Sequence, residues 1–115
     1  MMFRFILFVM AGRVRRALKK NKALGMLLEN ERFSVSVRAR DKGFCRQFIF
    51  ADGTFRSPKG KASPADTEME WGSGKAAVKA LSSGEAGILE ALGRSSLIIK
   101  GNLENFFKFT DILQA

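Results

Sequence analysis

The residue types that carry most enzyme chemistry are scarce in this chain. Among 115 residues there is no His and one Cys. Without His, the commonest general base and metal ligand is missing. That excludes Ser-His-Asp and Cys-His nucleophile systems and every His-zinc site. Cys45 alone makes no internal disulfide and no four-cysteine zinc site, and it fits a reducing compartment. Lys42 and Arg46 lie close to it in sequence and favour its thiolate, but a lone Cys in a strand is more often inert. Gly74-Lys75 has the ending of a phosphate loop. That motif needs Gly five positions before Gly74 and Ser or Thr after Lys75, where this chain has Met69 and Ala76. Glu68 and Glu70 are spaced as an acid pair, yet alternation places both on a solvated strand face. Asp66 has no second oxygen cluster to share a cation and reads as a strand-entry residue. The chain therefore reads as non-enzymatic, with no catalytic residue, metal or cofactor.

What the chain has in abundance is apolar area and positive charge. There are eleven Phe, one Trp (Trp71) and no Tyr. Phe buries a large surface with no polar handle, which suits a core or an apolar pocket. The net charge is +9. Residues 1–64 hold fifteen Lys/Arg against four Asp/Glu, and residues 65–115 hold five against seven. Such asymmetry points to an anionic partner for the first half.

The elements that position these residues follow from periodicity. Over residues 1–30, Phe3, Ile6, Leu7, Met10, Val14, Ala17, Leu18, Leu24 and Leu28 share one helical face. Arg13, Arg15, Arg16, Lys19, Lys20 and Lys22 share the opposite arc. Phe5, Phe8 and Val9 fall off the apolar stripe, Asn21 interrupts it, and Gly25 marks a break. The uncharged run Phe5–Gly12 is eight residues, far below the ~20 of a membrane span, and no small-x-small cleavage site follows it. A basic amphipathic helix of this kind packs on its own domain, lies on an anionic membrane, or forms a nucleic-acid arm. The last is least favoured, because no base-reading side chain is interleaved.

Residues 33–40 alternate as a strand, Asp41-Lys42-Gly43 is a hairpin turn, and Phe44–Ala51 is a second strand. Phe44, Arg46, Phe48 and Phe50 share one face of it. Asp52-Gly53 is a further turn, and residues 54–57 form a short strand. Residues 58–64, with both prolines, form a basic loop. Residues 65–71 alternate again. Helices follow at 75–81 and 85–92, the second capped by Ser83. Residues 95–100 read as a strand buried on both faces. Asn102 caps a last helix over 103–113, whose inner stripe is Leu103, Phe106, Phe107, Thr110 and Leu113, widened by Phe109 and Ile112. The order predicts an α+β fold with a largely antiparallel sheet covered on one side by helices.

Three segments in order carry a resemblance: Ala65-Asp66-Thr67, Ala80-Leu81-Ser82-Ser83-Gly84, and Ile98-Ile99-Lys100-Gly101-Asn102-Leu103. Together they resemble the sterol-carrier-protein type-2 family over roughly residues 30–113. The resemblance implies a five-stranded sheet whose helices enclose an apolar tunnel, and binding or transfer of sterols, fatty acids, acyl-CoA or other lipids. It also implies accessory roles, some in quinone biosynthesis. The long basic N-terminal helix departs from the general family pattern.

On that reading, residues 1–30 form a basic amphipathic helix and 31–115 a lipid-binding domain. The expected lipid-contacting residues are Phe48, Phe50, Met69, Trp71, Leu81, Ile88, Leu92, Phe106, Phe107, Phe109 and Leu113. Plain core is the rival reading for each, since pockets and cores use the same residue types. Met26 and Met69 read as gap fillers. Arg46 is expected at an exposed sheet edge, in preference to pairing with a lipid carboxylate or phosphate. Arg13, Arg15, Arg16, Lys19, Lys20 and Lys22 are the expected membrane contacts. The expected partners are a lipid ligand, an anionic membrane surface and a partner enzyme, with no specific nucleic acid. The expected location is cytoplasmic and peripheral at a membrane. The rival functions are a lipid-binding accessory subunit of a lipid or quinone biosynthetic enzyme and, in a different class, a basic nucleic-acid-binding protein.

Overall fold

A computed structural model describes residues 2–42, 45–58 and 65–114. Alternation in the first half builds three strands: β1 Arg32–Ala39, β2 Cys45–Ala51 and β3 Thr54–Arg56. β2 and β3 join through Asp52 and Gly53, both at positive φ (52° and 81°). Asp and Gly tolerate that left-handed backbone, which is what a tight hairpin needs. Gly43 of the turn expected at 41–43, Phe44 of the strand expected at 44–51, and residues 59–64 of the basic loop expected at 58–64 lie outside the described residues.

The fourth strand, β4 Thr67–Trp71, pairs with β1 in parallel, with Val35 opposite Thr67 and Ala39 opposite Trp71. The fifth, β5 Leu97–Gly101, pairs antiparallel with β4. The sheet order is β3-β2-β1-β4-β5, so three of its four pairings are antiparallel. β5 is an edge strand. Leu97 is buried, Ile98 and Ile99 are half-buried and Lys100 is exposed, which corrects the expectation of burial on both faces.

Among the described residues there are also five helices: α1 Met2–Lys20, α2 Lys22–Leu27, α3 Gly74–Ser82, α4 Gly84–Gly93 and α5 Leu103–Gln114. The helical break falls at Asn21, not Gly25. Asn21 Oδ1 accepts from Leu24 N–H at 3.1 Å and starts α2. Ser73 caps α3 by accepting from Ala76 N–H at 3.0 Å. Ser83 does not cap α4 as expected, because its Oγ donates back to the Lys79 carbonyl at 3.0 Å. A hydroxyl committed to the preceding turn is no longer available to the following one.

One sheet face carries Phe33, Val35, Val37 and Ala39 of β1, Phe48 and Phe50 of β2, and Met69 and Trp71 of β4, all buried. α5 lies against β1, β4 and β5, and α1 packs along α3 and α5. The predicted stripe of α1 is the one buried: Phe3, Leu7, Met10, Val14 and Ala17, joined by Ala11. These residues belong to the same apolar cluster as the sheet and α5. Among the described residues no helix is long and apolar enough to cross a membrane.

The motif segments at the two ends of the second half meet in space. Asp66 N–H donates to Ser34 Oγ at 3.1 Å, and Asp66 Oδ2 accepts from Ser34 N–H at 3.0 Å. Thr67 Oγ1 donates to the Asn102 carbonyl at 2.6 Å, and Asn102 N–H donates to the Asp66 carbonyl at 3.2 Å. Gly101 between them has φ +94°, and a Cβ there would overlap the Asp66 carbonyl oxygen. Asn102 Oδ1 then accepts from Glu104 N–H at 2.8 Å and opens α5. The Ala-Asp-Thr and Lys-Gly-Asn runs thus form one joint, locking β1, β4 and β5 to the closing helix.

Candidate functional site

Eight of the eleven expected lipid-contacting residues lie in the buried layer between sheet and helices. Phe48, Met69, Trp71, Phe106 and Phe109 are inaccessible, and Phe50, Ile88 and Leu113 are nearly so. Leu81 and Leu92 are half-buried against that layer. Phe107 is not inside: it is 47 % exposed, with its ring edge-on to Phe106 at 5.3 Å. Leu103 is also exposed, at 51 %. The buried phase of α5 runs through Phe106, Phe109, Thr110 and Leu113, with Ile112 beside it. That is the i, i+3, i+4, i+7 spacing of one helix face, and position 107 is rotated by about 100° away from Phe106.

The layer is aromatic and close-packed. Phe33 stacks on Phe50 at 4.6 Å, and Phe48 meets Phe109 at 4.8 Å. Phe55 of β3 lies 5.1 Å from Phe50 and 6.2 Å from Phe48. Offset and tilted rings at these separations stabilise one another by about 0.5–1.5 kcal/mol per pair. Phe33 and Phe55 were outside the expected contact set; the signal for Phe33 was its place in the β1 alternation. A groove of about 320 Å³ lies instead over α3 and α4, lined by Ala76, Lys79, Ala80, Ser83, Ala86, Gly87, Glu90, Ala91, Arg94 and Ser96. None of the expected lipid-contacting residues lines it. Its apolar floor exists because the helices approach closely, and a Cβ on Gly87 would overlap the Ala80 carbonyl oxygen.

The opposite sheet face carries a charge cluster. Glu70 was expected to be solvated, but its side chain is only 7 % exposed. It pairs with Arg38 at 3.0 Å, Arg40 at 3.2 Å and Lys100 at 3.4 Å. Burial alone would push its carboxyl up. Hydrogen bonds from Arg40 and Lys100, with the charges of Lys100 and Arg38, outweigh burial and hold it below the usual carboxylate range. Glu68 is half-buried, 3.8 Å from Lys100. The two glutamates are absorbed into ion pairing, and no free acid pair remains.

Arg46 also departs from expectation. It is 7 % exposed, not at an open edge. Alternation puts it on the face of Phe48 and Phe50, opposite Val37. Its Nε donates to Ser57 Oγ at 2.8 Å, and Ser57 Oγ donates to the Gln47 carbonyl at 2.7 Å. Burial lowers the guanidinium pKa from its ordinary value, and the nearby charge of Arg15 acts in the same direction.

The basic arc of the first helices stays outside. Arg13, Arg15, Arg16, Lys19, Lys20 and Lys22 are all exposed. Arg15 lies over the Phe55 ring, 5.5 Å from its centroid. Beside this arc, Phe5 and Phe8 are each 60 % exposed. Cys45 is half-buried. Asp41 Oδ1 accepts from Gly74 N–H at 2.8 Å, so a carboxylate already occupies the start of α3 where Gly74-Lys75 had the look of a phosphate loop. Among the described residues no group of three or more Cys, Asp or Glu is gathered as a metal site.

No protein-family model and no curated protein matches the sequence. Solved structures do match. A UbiJ-SCP2 ubiquinone synthesis protein superposes with a TM-score of 0.66 at 12 % identity, covering 87 % of this chain and 81 % of that one. Apo sterol carrier protein 2 from Yarrowia lipolytica gives 0.60 at 18 % identity, over 90 % of this chain and 86 % of that one. The inverting sec-alkylsulfatase Pisa1 from Pseudomonas sp. gives 0.60 at 11 % identity, over 76 % of this chain but 14 % of that one. The same architecture thus occurs alone and as a small part of a much longer chain. Sheet order, helix placement and these similarities agree: the chain is a small α+β domain of the sterol-carrier-protein-2 fold.

Proposed function

We propose that this protein binds and transfers a lipid without covalent chemistry, carrying a sterol, fatty acyl or isoprenoid-type chain between its sheet and helices. The observation that carries this reading is the buried aromatic layer of Phe48, Phe50 and Phe109, with Phe106 in the same apolar cluster, in a sterol-carrier-protein-2 fold. Burying ten methylenes at ~0.8 kcal/mol each yields about 8 kcal/mol before association costs, so little polar recognition is needed. Because the layer is close-packed, uptake requires the covering helices to part. Residues 1–30 are then the membrane-facing element and 31–115 the lipid-holding part. The basic arc meets an anionic surface, where each Lys or Arg contributes ~1 kcal/mol. Phe5 and Phe8 enter the interface beside it. The test is uptake of a fluorescent fatty acid by the full chain. Saturable binding displaced by unlabelled lipid is expected, and absence of uptake overturns the reading.

A second reading is a lipid-sheltering accessory subunit of a lipid or quinone biosynthetic enzyme. The similarity to a ubiquinone synthesis protein favours it. Co-purification with such an enzyme separates it from a free carrier.

A further inference from the structure

Among the described residues the other buried charge, Glu70, is matched by three cations. Arg46 is different. Its described side-chain partner, Ser57, is neutral. Among the described residues no carboxylate pairs with it. The charge that acts on it is a second cation, Arg15, exposed and laid over the Phe55 ring of the same aromatic layer. A buried, uncompensated guanidinium is costly, and a like charge beside it adds to the cost. An incoming anion relieves both.

The location has further content. Nε is fixed by Ser57, which is itself held by the Gln47 carbonyl, so the guanidinium is pre-oriented. Guanidinium presents a planar set of donors that matches the two oxygens of a carboxylate or phosphate. Phe48 is the next residue on the same strand face, about 7 Å along β2. Beyond it are Phe50, Phe55 and Phe109. A cation therefore stands at one end of an apolar layer, which is the layout that an amphipathic molecule requires.

We propose that Arg46, with Arg15 beside it, binds an oxyanion: the carboxylate or phosphate end of an amphipathic ligand whose apolar chain lies against Phe48. This rests on the lipid-binding reading for the chain, but not for the anion. The class of ligand narrows accordingly, to fatty acids and lipid phosphates ahead of neutral sterols.

The experiment compares oleate with oleyl alcohol, which share a chain and differ at the head. It uses the full-length protein, Arg46→Met and Arg15→Gln. Met keeps much of the Arg46 volume and removes the unpaired charge, so this variant is expected to melt no lower than wild type. Arg15→Gln is an exposed change that preserves the fold if Arg46→Met does not. Wild type is expected to prefer oleate by about tenfold or more, the size of a charge-assisted hydrogen-bond pair. Arg46→Met abolishes that preference and Arg15→Gln reduces it. Equal binding of the two amphiphiles by wild type overturns the anion site and leaves lipid binding standing. So does a preference that survives in both variants. If neither amphiphile binds, the lipid reading fails and inorganic phosphate decides. Phosphate that raises the melting temperature of wild type but not of Arg46→Met, against chloride at equal ionic strength, supports an anion site served by a free anion. No phosphate effect overturns it.

Discussion

Glu70 shows how a single side chain can be placed on the correct face and yet misjudged in its surroundings. Alternation puts it opposite Met69 and Trp71, which is where it lies. The alternation carries no information about neighbours across the sheet. β4 has β1 on one side and β5 on the other, so Glu70 sits among Arg38, Arg40 and Lys100. Its carboxyl pKa is lowered in the fold. A lowered carboxyl contributes stability that is present above the unfolded value of ~4.3 and is lost as pH falls through the folded value. Glu70→Gln is expected to cost about 1–3 kcal/mol at pH 7. It should also flatten the loss of melting temperature on acidification towards pH 3. An acid profile parallel to wild type contradicts the role of this carboxyl. Gly101 is the other sharp case. Gly101→Ala places a Cβ against the Asp66 carbonyl at a φ that L-residues avoid. A loss of about 2–4 kcal/mol in urea unfolding is expected, and a change below about 0.5 kcal/mol contradicts the joint. The motif residues were readable as a string, whereas the fact that Asp66 and Asn102 bond to each other was not.

At the scale of elements, the period of each segment revealed most of what was needed. The stripe of α1 and the face of β2 follow from spacing alone, because burial of one face is what makes the spacing. Ends and edges were harder to read. The break came at Asn21, whose side chain caps a new helix, where Gly25 had seemed the natural breaker. Ile98 and Ile99 looked like a central strand, but two adjacent apolar residues also fit an edge strand with one side against a helix. In α5, six apolar positions and Thr110 crowd the wheel, so Phe107 could not be sorted from Phe106 without a fixed helix phase. The basic arc leads to an element-level prediction. Replacing Arg13, Arg16, Lys19 and Lys20 together by Glu leaves the apolar stripe untouched. Co-sedimentation with phosphatidylserine vesicles is expected to fall by more than about tenfold, following ~1 kcal/mol per basic residue, with an unchanged circular-dichroism spectrum. Undiminished sedimentation contradicts membrane docking through this face.

For the whole molecule, local pattern reached the class of fold but not its connectivity. The parallel pairing of β1 with β4 brings together strands about thirty residues apart, and no local signal announces it. The resemblance of the Ala-Asp-Thr and Lys-Gly-Asn segments pointed to a five-stranded sheet under helices, and the fold agrees, but the parallel pair was not part of that expectation. Whether the aromatic layer is a filled core or a chamber that opens was not legible, because cores and lipid pockets are built from the same side chains. Arg46 was the one residue on the Phe face that did not fit a plain core. Its burial without a carboxylate partner gives that misfit a physical meaning.

The central claim is that the layer between sheet and helices accepts a lipid chain. Native mass spectrometry of the protein purified from cells, followed by organic extraction, tests it most directly. The account predicts a protein that carries added mass, releasing an amphipathic lipid with an acidic head into the extract. A protein of bare sequence mass that also takes up no fatty acid when supplied contradicts it and identifies the layer as a filled core.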